Sequence, residues 1–299
     1  MNYFYKNKGD TVDLYDSPIE LLKTYCKNGE YHFYKTCNID AESVSFSKIT
    51  KEELSIEELL AECHKYVKKQ ITVKRKLNAK YKESTLYYHT SNKKTSFTGE
   101  VKGLLLRGDN SINYIKSCNI NISVVGNDNI ICLTSDFSSL IVNGDCNTII
   151  VNSEFFYNGI IVNGENNHIF VQEDVVTVRG TNNFIMSTGS TSIDVPNSNY
   201  IVSLGKYACI RAGANNIIKI RADYNEVTCG GNNIIHSKEG FNTIETSSLQ
   251  GEIKVSDDSV VNITWGNKRY SFMNSDFNRV LGTTIVSAEG LKSVLDGRV

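Results

Sequence analysis

Carboxylates are the side chains of this sequence that could carry out acid–base hydrolysis. Cleavage of a polysaccharide needs two carboxyl groups held at a fixed, short separation. The carboxylates in the central part of the chain include Asp109, Asp128, Asp145, Glu165, Glu173, Asp174, Asp194, Asp223 and Glu226. They are dispersed, and the first four fall at or near turns rich in Gly and Asn, where turn formation explains them. We therefore predict no catalytic residue and no enzyme.

Histidines and cysteines are the side chains that could bind a metal or carry redox chemistry. The chain has 8 cysteines, but no pair has the Cys-x-x-Cys spacing of zinc and redox motifs. Only His168 and His236 lie in the central region. The sequence also lacks the P-loop, zinc-protease and serine-hydrolase signatures. We predict no metal, no cofactor, and cysteines that pack as reduced, small apolar side chains.

A basic segment from 65 to 94 is the candidate for nucleic-acid binding. Lysines and one arginine alternate there with tyrosines, and aromatic rings beside cations can stack on bases. The predicted contacts are Lys68, Lys69, Lys74, Arg75 and Lys76. A solvated helix end and connector is the competing interpretation, since the formal net charge of the whole chain is only -1. A protein partner is therefore the preferred expectation.

The motif Asn-x-Ile recurs along the middle of the chain. It begins at 113, 129, 147, 167, 183, 199, 216, 233 and 242, and most copies have Gly three residues before the Asn. Successive copies lie 16 to 20 residues apart, except for a last step of 9. A period near 17 residues, with glycine at a constant place, is typical of a stacked repeat array.

Each repeat contains two short alternating segments, such as SLIVN and NTIIVN within 139–152, and is too short for a pair of helices. The Gly-x-x-Asn turn suits a tight corner, because both residues tolerate left-handed backbone angles. The other turn varies in length. We therefore predict a mainly β fold, a single-stranded β-solenoid (β-helix) with eight or nine coils of about 17 residues, stacked about 4.8 Å apart.

Alternation along a strand predicts which side chains face the core. The Ile of each motif should point inward, and the Asn side chains should form a hydrogen-bonded ladder at the corner. The residues on either side of the Ile should point outward, and in the central coils they are mostly apolar or aromatic. This predicted interface strip comprises Ile130, Cys132, Ile150, His168, Phe170, Phe184, Met186, Tyr200 and Val202. Because monomers rarely expose such a strip, we expect the chain's own ends, a second copy or another partner to cover it.

The two ends of the chain lack the repeat. Residues 1–100 are predicted to form a small N-terminal α/β domain or cap, ahead of solenoid repeats at 101–250. Residues 251–299 are predicted to supply C-terminal strands and a capping helix. Caps are expected because an open solenoid end exposes both core side chains and unpaired backbone.

Within the N-terminal region, helices are predicted at 17–29 and 55–69. Each begins with Ser and has Glu three residues later, which is the pattern of a capping box. A strand is predicted between them at 30–39. At the other end, strands are predicted across 251–273 and a short helix at 287–297.

One stretch of the N-terminal region resembles a known type of domain. LYDSPIELLKTYCKNGEYHFYKTCNID (14–40), followed by SIEELL, resembles an uncharacterised domain that precedes repeat arrays in phage and prophage proteins. The resemblance spans about residues 12–62, and the Gly-Phe-His-x-Cys signature of those proteins is absent here. It implies a phage or mobile-element origin, and no catalytic residue carries over. Residues 108–250 resemble short-coil β-solenoid repeat proteins.

These patterns predict a non-enzymatic binding or structural protein that associates with itself or with a host or phage protein. A polysaccharide-acting β-helix enzyme, a phage inhibitor of a host defence factor and a nucleic-acid binder are the alternatives. No apolar run of about 18 residues exists, so we expect no membrane partner. The start of the chain does not have the pattern of a secretion signal, so a location in the host cytoplasm or in a virion is expected.

Overall fold

The computed structural model of the protein describes most of residues 85–262. Side chains are described for residues 85–98, 102–116, 120–134, 139–152, 159–237, 240–247, 251–256 and 258–262, with 264 and 271. The backbone alone is described for residues 3–8, 11–15, 34–37, 50–53, 69–72, 263, 265, 268–270 and 272–273. In these residues the regular elements are all strands, and none forms a helix long and apolar enough to cross a membrane.

The strands form three sheets. The first is antiparallel, in the order β2-β1-β3-β4, and comprises β1 (Tyr3–Lys8), β2 (Thr11–Tyr15), β3 (Tyr34–Cys37) and β4 (Thr50–Glu53). Sheet 1 comprises β5 (Lys69–Thr72), β7 (Lys94–Thr98), β9 (Ile112–Lys116), β11 (Ile130–Leu133), β13 (Thr148–Val151), β15 (His168–Val171), β17 (Phe184–Ser187), β19 (Tyr200–Ser203), β21 (Ile217–Ile220), β23 (Asn233–Ser237) and β25 (Gly251–Lys254).

The strands of sheet 2 alternate along the chain with the strands of sheet 1. It comprises β6 (Thr85–His89), β8 (Gly103–Arg107), β10 (Asn121–Val125), β12 (Ser139–Asn143), β14 (Gly159–Asn163), β16 (Val175–Arg179), β18 (Ser192–Val195), β20 (Cys209–Ala212), β22 (Glu226–Cys229), β24 (Thr243–Thr246), β26 (Val260–Trp265) and β27 (Lys268–Met273). Neighbours in both sheets are parallel, apart from the final antiparallel pair β26–β27. The chain therefore alternates between two stacked parallel sheets, which is a β-solenoid of about nine turns, as the sequence predicts.

The core lies between the two sheets and repeats from coil to coil. Ile149 pairs in register with Ile131 on one side and Ile169 on the other, and all three are fully buried. Sheet 2 contributes matching side chains such as Val142 and Val162. The inward orientation of the motif isoleucines is therefore confirmed. Such stacked isoleucines are stabilised by apolar side chains about 4.8 Å above and below them.

The Asn corner is the turn that leads from sheet 2 into sheet 1. Its Asn side chains are buried, and the Oδ1 of each accepts the backbone N–H of the equivalent residue one coil earlier; for Asn167, the donor is Asn147 N, at 2.8 Å. The same bond recurs from Ser111 to Asn233. The predicted ladder is confirmed, with most of its bonds running from side chain to backbone rather than between amides.

Two of the nine motif copies do not lie where the repeat predicts. Asn113 pairs in register with Ile131 and points into the core, where its Oδ1 accepts a hydrogen bond from Thr95 Oγ1 at 3.0 Å. Ser111 takes its place in the ladder. Asn242 belongs to the opposite corner, at the start of β24 in sheet 2. The step of 9 residues before it is half a coil, which explains the exchange of sheets.

The second corner, which leads from sheet 1 into sheet 2, has a shorter ladder of its own. Asn225 Oδ1 accepts Ala208 N at 2.8 Å, and Asn242 Oδ1 accepts Asn225 N at 2.8 Å. Ser259 Oγ continues the series as acceptor for Asn242 N. Both edges of the later coils are therefore closed by buried polar side chains that replace water as partners of the turn backbone.

Strands occur within the predicted end segments where the structure describes them, while the N-terminal domain and the C-terminal cap stay predictions. Strand β3 lies inside the segment 30–39, and β25, β26 and β27 lie inside 251–273. The predicted helices at 17–29, 55–69 and 287–297 lie outside the described residues, apart from Lys69, which begins β5. Strands β5, β6 and β7 already belong to the two parallel sheets, so the stack begins upstream of the predicted boundary at residue 101.

Candidate binding surfaces

The predicted interface strip lies on the outer face of sheet 1, and most of it is buried within the single chain. The buried members are Ile130, Cys132, Ile150, His168, Phe170 and Phe184, each at most 2% exposed. None of them belongs to the core between the sheets, because they alternate with the inward isoleucines. These six positions are therefore already shielded from a second molecule.

The rest of the strip is half-buried. Met186, Tyr200 and Val202 retain partial contact with solvent, and so do Ile217 and Ile234 in the next two coils. Tyr200 stacks on Phe184 with ring centroids 5.5 Å apart, so the covered and open parts of the strip are continuous. Assignment of the strip to an intermolecular contact stays a prediction, and its accessible part is the region from Met186 to Ile234.

His168 is a titratable side chain inside the covered part of the strip. Its ring lies 6.1 Å from that of Phe184, and it is 2% exposed. Burial lowers the pKa of His168 from 6.5 to about 3, because an imidazolium there would lose its hydration. The imidazole is therefore neutral at pH 7 and behaves as part of the apolar strip.

Charged side chains end the strip on its C-terminal side. Lys219 Nζ lies 5.1 Å from the ring centroid of Tyr200, and His236 Nε2 lies 3.2 Å from Glu252 Oε1. Lys254 also pairs with Glu252, and hydrogen bonds from Lys254 and, to a smaller extent, from His236 lower the pKa of the Glu252 carboxyl. The open apolar region is thus bordered by side chains that prefer water.

The outer face of sheet 2 is more polar, as predicted from Asn143, Asn163, Thr177 and Arg179, which are half-buried or exposed. Near the Asn corner this face has an open groove of about 530 Å³. The residues that line it include Asp194, Arg211, Thr228, Cys229, Gly230 and Glu245. Burial raises the pKa of Cys229, so its thiol stays protonated.

The two carboxylates of this groove are too far apart for glycosidase chemistry. Asp194, Arg211, Thr228 and Glu245 follow one another in register across four strands. Three strand spacings separate the carboxylate-bearing residues, about 14 Å along the sheet. Glycosidase carboxyl pairs lie about 5 to 9.5 Å apart. The groove therefore does not have the geometry of that reaction.

The remaining predicted sites are only partly described. Lys69 lies in β5, with its backbone alone described, while Lys68, Lys74, Arg75 and Lys76 lie outside the described residues. Nucleic-acid contact therefore stays a prediction. Within the part of the chain that the structure describes, no three His, Cys, Asp or Glu side chains come together in a way that could hold a metal ion.

A stack of exposed aromatic rings at the second corner is a feature that the motif search missed. Tyr207, Tyr224 and Phe241 are 65%, 47% and 56% exposed. The centroids of Tyr207 and Tyr224 lie 5.4 Å apart, those of Tyr224 and Phe241 5.8 Å apart, and the rings are within 17° of parallel. The signal was available in the sequence, because the three residues follow one another at intervals of 17.

The aromatic stack, defined as Tyr207, Tyr224 and Phe241, has a cation beside it. Lys206 Nζ lies 6.0 Å from the Tyr224 centroid and 3.0 Å from Asp223 Oδ2. Hydrogen bonding to Asp223 raises the pKa of Lys206. A positively charged side chain therefore already lies on the side of the stack that faces Asp223.

Comparisons with models of protein families, with curated proteins and with solved structures found no match.

Proposed function

We propose that the chain is a non-enzymatic binding and structural protein that uses the solenoid as a rigid support for an apolar contact surface. The contact surface is the open part of the strip, centred on Met186, Tyr200 and Val202, which are three of the nine residues predicted from the sequence. A second copy of the chain is the preferred occupant, and a host or phage protein is the other.

The observation that carries this proposal is the partial exposure of apolar side chains on a regular, fully hydrogen-bonded sheet. Val202 pairs in register with Met186 and Lys219. The residues immediately before and after it in its own strand are buried. A side chain held this way has little freedom to lose when a partner binds. Burial of the remaining apolar area would then favour association.

The resemblance of residues 12–62 to a domain of phage and prophage proteins supports a phage or mobile-element origin for the chain. Two roles in a phage or mobile element suit a rigid solenoid with one apolar contact surface. One is a virion or fibre component, in which copies of the chain contact each other. The other is an intracellular protein that blocks a host factor, in which the strip contacts a foreign surface.

Solution mass across a dilution series tests the self-association form of the proposal. Light scattering should show a dimer or larger species that dissociates on dilution. Val202→Asp should move this equilibrium toward monomer, because it places a charge in the apolar contact. Thr177→Asp is the matched control, since Thr177 is also half-buried but faces outward from sheet 2, and it should leave the mass unchanged.

A wild-type chain that stays monomeric at every concentration would rule out self-association. The partner form would then be tested by comparing the proteins that wild type, Val202→Asp and Thr177→Asp retain from a host lysate. A partner retained equally by all three would place the contact elsewhere and overturn the role of the strip.

A further inference from the structure

The aromatic stack continues a column of second-corner positions whose earlier members are not aromatic. Backbone hydrogen bonds between coils show that Asp174, Thr191, Ala208, Asn225 and Asn242 occupy equivalent positions at this corner. The residues that precede them are Glu173, Ser190, Tyr207, Tyr224 and Phe241. The positions that precede the three rings in this column therefore carry a small hydroxyl side chain, Ser190, and before it a carboxylate, Glu173. Ser190 Oγ donates to Tyr207 O at 3.3 Å and lies close to the backbone.

Replacement of a ring by Ser190 leaves one face of Tyr207 uncovered. Tyr224 has an aromatic neighbour on both sides and is 47% exposed, whereas Tyr207 has one and is 65% exposed. Coils are stacked about 4.8 Å apart, which is the thickness available to one planar group. The column thus has a gap, one planar group high, on the open face of Tyr207.

The side chain of Glu173 lies against Gly189, the residue before Ser190. A Cβ atom placed on Gly189 would be 2.5 Å from Glu173 Cγ and 3.1 Å from Glu173 Oε1, so the Glu173 side chain leans over the coil that contains Ser190. Among the described residues, no cation lies within ion-pair distance of Glu173. Lys206, the nearest lysine in sequence, is directed toward Asp223 instead.

Two observations favour a cation in the gap over a neutral ring. The same stack already accepts one at Tyr224, where Lys206 Nζ is 6.0 Å from the ring centroid. Glu173, at the same corner, also has no ion-pair partner among the described residues. A flat guanidinium matches both the thickness of the gap and the two oxygens of the Glu173 side chain. A tetrahedral ammonium could satisfy the charge but not the stacking.

We infer that the open face of Tyr207, together with Glu173 and Ser190, is a binding site for the guanidinium group of an arginine side chain presented by a protein partner. The ring face holds the planar cation, and the carboxylate orients it through paired hydrogen bonds. Tyrosine and arginine are the residue types that most often dominate protein interfaces. This site lies at the second corner and is separate from the strip on sheet 1, so either can fail without the other.

Titration of the full-length protein with N-acetyl-arginine methylamide tests the site. Tyrosine side chains are labelled for NMR, and the resonance that disappears in Tyr207→Asn identifies the ring. Asn suits this position, because Tyr207 has a φ of 61° and Asn tolerates the left-handed region. The probe should shift the Tyr207 resonance in a saturable way, and added salt should weaken its binding.

Two controls separate charge recognition from simple stacking. The citrulline analogue has the same shape without the charge, and it should bind about threefold more weakly, as should the arginine probe to Glu173→Gln. Asp258 precedes Ser259 in the second-corner ladder as Phe241 precedes Asn242, so Asp258→Asn removes a carboxylate at the other end of the column and should leave binding unchanged. Thermal unfolding checks that each variant is folded.

Three results would overturn the inference. The first is no saturable shift of Tyr207 with the arginine probe. The second is equal binding of the citrulline analogue or of maltose, which would show a site for neutral planar groups or for sugars. The third is arginine binding that Glu173→Gln leaves unchanged while Asp258→Asn weakens it, which would move the site to the opposite end of the stack.

Discussion

Both corners of the solenoid contain left-handed backbone positions, but different side chains occupy them. At the Asn corner the left-handed positions carry Asn, Asp, Ser or Cys, for example Asn166 and Asn182, and from Asp128 to Asn232 a buried Asn follows each of them. At the second corner the left-handed positions include Tyr207 and Tyr224, with φ of 61° and 59°. Asn lowers the energetic cost of left-handed backbone angles because its side chain hydrogen-bonds to the nearby backbone. A tyrosine side chain cannot make that local bond.

This difference separates stability from surface chemistry. The Asn corner satisfies the turn backbone from inside, and Asn147, Asn167 and Asn183 are each at most 1% exposed. The second corner places its distinctive side chains in solvent, where ring stacking returns about 0.5–1.5 kcal/mol per pair and roughly offsets the left-handed backbone strain. The first corner is thus specialised for holding coils together, and the second has side chains available for contact.

The largest expected effect comes from adding a methyl group at the Asn corner. Gly144 has φ of 142°, and a Cβ there would lie 2.1 Å from Gly126 O. Gly144→Ala should lower the free energy of unfolding by about 3 kcal/mol or more, since strain and overlap add. Gly159→Ala is the control, because its Cβ would meet nothing within 4 Å. Urea unfolding of both variants measures the difference, and equal midpoints would contradict the close approach of the coils.

A second prediction compares two members of the Asn ladder. Asn183 Oδ1 accepts Asn167 N, and its Nδ2 donates to Gly164 O and Thr181 O, both at 3.1 Å. Asn147 accepts in the same way, but its Nδ2 has no hydrogen-bond partner among the described residues. Asn183→Ala should therefore lower the free energy of unfolding by about 2 kcal/mol, which is more than the decrease expected for Asn147→Ala. If Asn147→Ala proves the more destabilising in chemical denaturation, the amide donors do not contribute.

The strand that follows the Asn corner should make stability depend on pH. The pKa of His168 is about 3 in the folded state against 6.5 when exposed, so the unfolded chain binds a proton below pH 6.5 that the folded chain excludes. The stabilisation is complete above pH 6.5 and is lost as pH falls toward 3, with about 2 kcal/mol gone at pH 5.

His168→Phe keeps a ring beside Phe184 and removes the titrating group. Unfolding midpoints of wild type and variant, measured at pH 7 and pH 5, should show a smaller loss in the variant. An identical loss in both proteins would mean that His168 is accessible to protons in the folded state.

The smallest effect is expected at the second corner. Tyr224→Asn removes two ring contacts but places a residue that suits φ of 59°. The two changes oppose each other, so the unfolding free energy should change by less than about 1 kcal/mol. A thermal shift much larger than that of a surface substitution would show that the stack stabilises the coils as strongly as the Asn ladder does.

Much of the solenoid is predictable from the sequence because its contacts repeat the chain's own period. The isoleucine positions, the ladder and the polar outer face of sheet 2 all follow from alternation and a 17-residue spacing. Asn113 shows the limit of this reasoning. It matches the motif, yet its register is decided by the neighbouring coil, where Thr95 supplies a buried hydrogen-bond partner.

The sequence alone thus determined the coil length, the inward side chains and the apolar character of one outer face, since each depends on residues a constant distance apart. The tertiary structure decided which part of that face is buried, as the difference between Phe170 and Val202 shows. It also decided that Tyr207 presents an open ring face beside Glu173. Both depend on the side chains that pack beside a coil rather than within it. The spacing of residues along the chain does not specify those contacts.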